Sequence, residues 1–277
     1  MHRLSLAAPL VLAAALAGAP SLPAAATVPA PAPQLCSELS VDPEGQVGQV
    51  EVDGDLVADG ECRGVSGDVH GDVVVPAGAS FDARSLDVHG DLRVAGYSGL
   101  YGSQVHGDVL LDGAAHVVLQ HTSVVGGVTG SALAVQVYAS GVLGDVTVAS
   151  TGATRLTRSV LGGAVDVRGG RLLVHDTGVR GNLTSTTATD VLVCRASLRG
   201  DLTVTDVQGW SRVGQERQEL CRTTVGGSVR VVDNPHTVVL DDVVVSGDLL
   251  CAGNTGPQLV VRTARLTVAR ASTGQCA

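Results

Sequence analysis

Apolar and polar positions alternate along this chain in short runs, and the runs recur. The stretch Val69-His70-Gly71-Asp72-Val73-Val74-Val75 has the form (Val/Leu)-x-Gly-(Asp/Asn/Gly)-(Val/Leu)-x-(Val/Leu). Copies occupy Val88 to Val94, Val105 to Leu111, Leu198 to Val204 and Val245 to Cys251. A second alternating run precedes most copies, as in Val117-x-Leu119, Val135-x-Val137 and Leu172-x-Val174. Strict alternation of β-branched residues predicts two or three short strands per unit and no helix.

The repeat sets the architecture. Its glycines are Gly54, Gly71, Gly90, Gly107, Gly126, Gly144, Gly162, Gly181, Gly200, Gly226 and Gly247. From Gly54 to Gly200 the steps are 17, 19, 17, 19, 18, 18, 19 and 19, followed by 26 and 21. The copies around Gly162-Gly163 and Gly226-Gly227 read as carrying one extra residue. A unit of this size cannot enclose a core alone, but stacked units can, each strand pairing with its equivalent at roughly 4.8 Å. The expected fold is all-β: a parallel β-helix over residues 46–277, with about eleven or twelve coils of 17–19 residues. At ~4.8 Å per coil this is a rod of roughly 50–55 Å. Variable coil lengths favour the right-handed form. The glycines are expected to supply φ > 0 corners. Arg265-Leu266-Thr267-Val268 is expected to stand for Asp-Val-x-Val in the last coil.

Residues 1–26 read as a secretory signal: His2 and Arg3, an apolar run from Leu4 to Ala17, and small residues at Ala24-Ala25-Ala26. Residues 27–45 read as a Pro/Ala-rich linker and N-terminal cap. No other stretch is apolar enough to span a membrane, so the expected location is secreted or extracellular. The net charge is −9, and near −10 (17 Arg against 27 acids) once Arg3 leaves with the signal; Lys is absent. This balance argues against nucleic acid and against an anionic membrane surface as partners.

Six cysteines in an exported chain predict three disulfides. They are Cys36, Cys62, Cys194, Cys221, Cys251 and Cys276. Fifteen pairings exist on paper; joining neighbours gives separations of 26, 27 and 25. That scheme staples both ends of the solenoid, where strands lack neighbours, and one irregular coil.

Two clusters carry candidate chemistry. The motif acids Asp55, Asp72, Asp91 and Asp108 stack in successive coils, then alternate with neutral residues: Gly127, Asp145, Gly163, Asn182, Asp201, Gly227 and Asp248. Within the unbroken acidic run, His70, His89 and His106 stand two residues before Asp72, Asp91 and Asp108, on one strand face. The set either compensates charge or holds a metal ion; compensation is the simpler expectation, because repeats propagate such triplets without a site. The other cluster is an interruption at 205–225, which holds the sole tryptophan. There Trp210, Arg212 and Glu216 could stack on a sugar, whereas a lone Trp more often packs over its own loop.

Enzyme signatures are lacking. The Asn-Thr-Asp, Gly-His-Gly and Arg-Ile-Lys patterns of β-helical polysaccharide hydrolases do not occur, and Asp241-Asp242 is the only matching pair. There is no nucleophile elbow, zinc-ligand spacing or phosphate loop, and no cofactor is expected.

The coils of the type Val65-Ser-Gly-Asp-Val-His-Gly-Asp-Val-Val-Val75 resemble those of bactofilins, which are polymer-forming β-helix scaffolds. The resemblance extends from about Val50 to Val268 and implies self-association; the leader, cysteines and length differ from that family. Two functions follow as expectations. One is a secreted, non-catalytic scaffold with a structural or adhesive role, whose partners are copies of itself or extracellular polysaccharide. The other is a carbohydrate-active β-helix with its site near the 205–225 interruption. Peptide mapping without reduction is expected to recover the three neighbour pairs; a Cys62–Cys194 peptide or a free thiol would contradict the scheme.

Overall fold

The computed structural model describes residues 32–214, 221–256 and 265–277, with the backbone strand Leu259–Val261. The expected signal segment lies outside the described residues. Over the described residues the chain is a parallel β-solenoid of about twelve turns with almost no helix. Each turn lays down strands on three faces, and every pairing is parallel. The first face carries the motif strands, from Gln34–Leu35 through Val73–Val75 and Leu202–Thr205 to Ser272–Gly274. The second holds the strand before each motif glycine, such as Val179 against Leu198. The third holds the additional alternating runs, such as Val117 against Val135.

Alternation decides what fills the bore. Inward positions are mostly Val, Leu and Ala, with small polar residues such as Ser98, Thr154, Ser185 and Ser211 among them, and Phe81 is the one aromatic among the fully buried side chains. Buried branched aliphatics contribute about 1.5–3 kcal/mol each. Registers step by 17 or 19 residues early on: Leu56 pairs with Val73, Val73 with Leu92, and Leu92 with Val109.

The corner between the second and first faces explains the motif. Each motif acid turns its carboxylate along the solenoid axis to the next turn. Asp55 Oδ1 accepts the Asp72 N–H at 2.8 Å, Asp72 accepts Asp91 at 2.8 Å, and Asp91 accepts Asp108 at 2.9 Å. The rungs continue from Asp108 to Gly127, Asp145 to Ala164, Asn182 to Asp201 and Asp201 to Ser228. Ser228 Oγ and Asp248 Oδ1 extend the series to Asp248 and Ala271. The glycines make room for these rungs. A Cβ on Gly90 would lie 2.3 Å from Asp72 Oδ1 and 2.6 Å from Gly71 O. Gly71, Gly107 and Gly126 meet the same obstruction. None of these four has positive φ, so the expected φ > 0 corner is corrected to a corner of close approach. Stacked acids tolerate one another here because each is bonded to backbone, and Arg93 bridges Asp72 and Asp91 at 3.0 Å each.

Register also corrects the two copies read as longer. Leu198 to Leu202 and Val225 to Val229 span the same number of residues. Gly163 and Gly227 are therefore the motif glycines, and Ala164 and Ser228 occupy the acid position. The interruption expected at 205–225 is shorter too. Ser211–Val213 is a regular third-face strand paired on both sides, and Thr223–Val225 is a regular second-face strand. The additional residues fall mainly between Val213 and Thr223. At the C-terminus, Leu266–Val268 pairs with Val243–Val245 on the second face, and Ser272–Gly274 provides the last motif strand. Arg265-Leu266-Thr267-Val268 thus precedes the last motif and does not replace it.

The corner between the third and second faces has its own device. Non-glycine residues adopt left-handed backbone there, including His121, Ala139, Arg158 and Asp176, with φ of 53°, 49°, 53° and 51°. Such a conformation costs about 1–2 kcal/mol per residue. The following residues, Thr122, Ser140, Ser159 and Thr177, are buried. Their hydroxyls donate to carbonyls two residues back, at 2.8 to 3.1 Å. Ser140 Oγ in turn accepts the Thr122 N–H at 3.0 Å. This column keeps buried backbone paired and offsets the strain.

The disulfides are Cys36–Cys62, Cys194–Cys221 and Cys251–Cys276, with Cα–Cα distances of 5.9, 4.7 and 5.3 Å. This is the neighbour scheme. Loops of this size lose about 3–4 kcal/mol of unfolded-state entropy per bridge on the chain-entropy account.

The corner makes a paired expectation. Gly90→Ala is expected to cost about 1–3 kcal/mol in urea unfolding, because the obstruction is backbone as well as side chain. Gly141→Ala, where a Cβ has nothing within 4 Å, is expected to stay within about 0.5 kcal/mol. Equal effects at both positions would contradict the steric account.

Candidate functional site

The first exterior constellation lies along the second face near the N-terminal end. His70, His89 and His106 follow the core strand residues Val69, Val88 and Val105, so one column of the repeat carries all three outward. Their rings stack, with centroids 4.9 and 5.1 Å apart and interplanar angles of 30° and 11°. The motif acids expected beside them are engaged elsewhere. The Oδ1 atoms of Asp72, Asp91 and Asp108 accept backbone N–H groups, and Oδ2 of Asp72 and Asp91 takes Arg93. The carboxylates that do meet the imidazoles are Asp68 and Asp87, each two residues before a histidine. His106 Nε2 lies 2.9 Å from Asp87 Oδ1. One ligand atom each from Asp68, Asp87 and His89 falls within 4.8 Å of the others. The signal in the sequence was the acid-x-His spacing on the other side of two of the three histidines, Asp68-Val69-His70 and Asp87-Val88-His89.

The second constellation is on the third face. Trp210 is 55% exposed and borders a shallow groove of about 410 Å³ with Arg171, Leu173, Asp190, Leu192 and Arg212. The Arg212 guanidinium lies 5.2 Å from the indole centroid, a cation–π contact. Asp190 ties the groove floor together: Oδ1 accepts the Trp210 N–H at 3.1 Å, and Oδ2 receives Arg171 Nε at 3.4 Å. Gly209 is required for this approach, since its Cβ would lie 2.1 Å from Thr189 O. Trp210 therefore projects from a regular coil. Glu216 lies outside the described residues.

A third cluster was not anticipated. Tyr97 and His116 meet edge-on with centroids 5.8 Å apart, and both lie on the third face. Burial, with a hydrogen bond to Tyr101 and the nearby Asp82 charge, pushes the Tyr97 phenol up to about 12. Burial also raises the Asp82 carboxyl, opposed by Arg63 and Arg84. The pair Asp241-Asp242 is not a paired site. Asp241 is buried, and Asp242 forms a left-handed corner with φ 57°.

No family model, no curated protein and no solved structure matches this chain. Among the described residues no helix is long and apolar enough to cross a membrane.

Tyr97 generates an expectation with a definite sign. Its folded pKa lies above the unfolded value, so its contribution is complete below about pH 10 and is lost as pH rises toward about 12. Alkaline urea unfolding should show a shallower decline of stability over that window in Tyr97→Phe than in the parent. An unchanged slope would contradict the burial of the phenol.

Proposed function

We propose that this chain is an exported, non-catalytic β-solenoid scaffold with a structural or adhesive role outside the cell. The observation that carries the reading is where the carboxylates go. The motif acids serve as rungs between turns, and Asp190, the acid that lines the Trp210 groove among the described residues, is held by the Trp210 amide and Arg171. General acid–base cleavage of a glycosidic bond needs two facing carboxylates free to exchange protons; among the described residues the groove offers one. Three disulfides are compatible with an oxidising, extracellular setting. The likeness of Val65–Val75 to bactofilin coils adds self-association as a way for such a scaffold to work.

A second reading, polysaccharide binding at the groove, is favoured by the exposure of Trp210 between two arginines. An exposed indole suits the apolar face of a sugar ring, and Arg171 and Arg212 suit carboxylate or sulfate substituents. As the sole tryptophan, Trp210 reports its own occupancy.

Titration of the oxidised protein with an acidic polysaccharide such as polygalacturonate, and with a neutral glucan, tests both readings. The scaffold reading expects no new reducing ends and no unsaturated product from either. Groove binding expects saturable quenching by the acidic polymer alone, weakened about tenfold or more in Arg212→Ala. Cleavage abolished by Asp190→Asn would overturn the non-catalytic reading.

A further inference from the structure

The imidazole column has a partner column, and the two end one turn apart. On the second face Glu51 pairs in register with Asp68, Asp68 with Asp87, and Asp87 with Gln104. Beside it, the position two residues on is Asp53, then His70, His89, His106 and Val125. Three acids thus run in successive turns next to three histidines. The acids stop at Gln104 and, one turn later, the imidazoles stop at Val125. The offset matches the contact seen, in which His106 meets Asp87 of the turn before it. Repeat propagation alone does not require that two neighbouring columns change character one turn apart.

The middle of the array is its most complete part. His89 is level with Asp87 and one turn above Asp68, and the three donor atoms come within 4.8 Å. Asp87 Oδ1 is buried and accepts no aligned hydrogen bond. His106 Nε2 is 2.9 Å from it, but that short distance lacks donor–acceptor alignment. An unsatisfied carboxylate oxygen next to an exposed imidazole is an incomplete electrostatic arrangement. A cation completes it.

We propose that Asp68, Asp87 and His89 form a binding site for a divalent transition-metal ion of the zinc class. One nitrogen and two carboxylate oxygens are a donor set for Zn²⁺ or a neighbouring ion, while Ca²⁺ and Mg²⁺ prefer oxygen alone. Among the described residues, the group whose donor atoms lie within 4.8 Å of one another is one imidazole, His89, with two acids from adjacent turns, Asp68 and Asp87, and the ion takes these three. The acids and imidazole are at least partly exposed and can close by small rotations about χ1 and χ2. Binding would clamp two turns at the N-terminal end, which is a function beyond the scaffold role and independent of the Trp210 groove.

Isothermal titration of the full oxidised protein with ZnCl₂ at pH 7.5 tests this. All six cysteines are bridged, so thiols do not contribute. The expected result is saturable 1:1 binding, weakened by about tenfold or more in His89→Gln and in Asp68→Asn/Asp87→Asn, and unchanged in His116→Gln on the third face. Absence of saturable binding, equal binding in His89→Gln, or displacement of zinc by equimolar calcium would overturn the proposal. Should the double variant not fold, Ni²⁺ titration of the labelled parent decides. Paramagnetic broadening must then centre on the His89 imidazole resonances, and broadening centred on another histidine would overturn the site.

Discussion

Everything in this molecule depends on one contact, the acceptance of a backbone N–H by the side chain of the equivalent residue one turn earlier. A solenoid corner breaks the sheet ladder, so its amides need other acceptors. Asp, Asn or Ser at one repeating position supplies them, with donor–acceptor distances of 2.7 to 3.1 Å along the column. The preceding residue is then pressed against the turn below, and only hydrogen fits where a Cβ would stand. The Gly-Asp pair is thus one requirement written in two residues. Each such bond is worth about 1 kcal/mol net at a wet corner, and the turns sum many of them.

This origin explains which parts of the fold were legible. Period-two alternation and an acidic Gly-Asp punctuation are properties of short sequence windows, so the strands, the stacking and the sequential disulfides could be read from the chain. Register within irregular copies could not. In Leu161-Gly162-Gly163-Ala164 either glycine satisfies the pattern, and only the bonds Gly181 N–H to Gly163 O and Ala164 N–H to Asp145 Oδ1 select the second. The left-handed corner was hidden for a different reason. Its positions carry His, Ala, Arg and Asp in successive turns, because the buried hydroxyl after them does the stabilising and the corner residue itself is free to vary.

The exterior follows the same logic. The motif acids near the histidines were legible as neighbours in sequence but are committed to the backbone, so the histidines look to Asp68 and Asp87 on their other side. Trp210 was legible as unusual, yet its placement needed the strand Ser211–Val213 to be in register. That register fixes the preceding residue at the edge of a groove, with its amide held by Asp190. A rigid repeat displays whatever its outward columns carry, and here two columns change chemistry locally against a uniform scaffold.

The central claim is that corner side chains, and not strand pairing alone, hold the turns together. Native-state hydrogen exchange measured amide by amide tests it most directly, because the chain contains its own controls. The amides of Asp72, Asp91, Asp108 and Ala164 face an acid one turn below. Those of Asp145 and Asn182 stand above Gly127 and Ala164, which have no acceptor to offer. The account predicts strand-like protection for the first four and fast exchange for the last two. Uniform protection across all six, or fast exchange at all six, would contradict it.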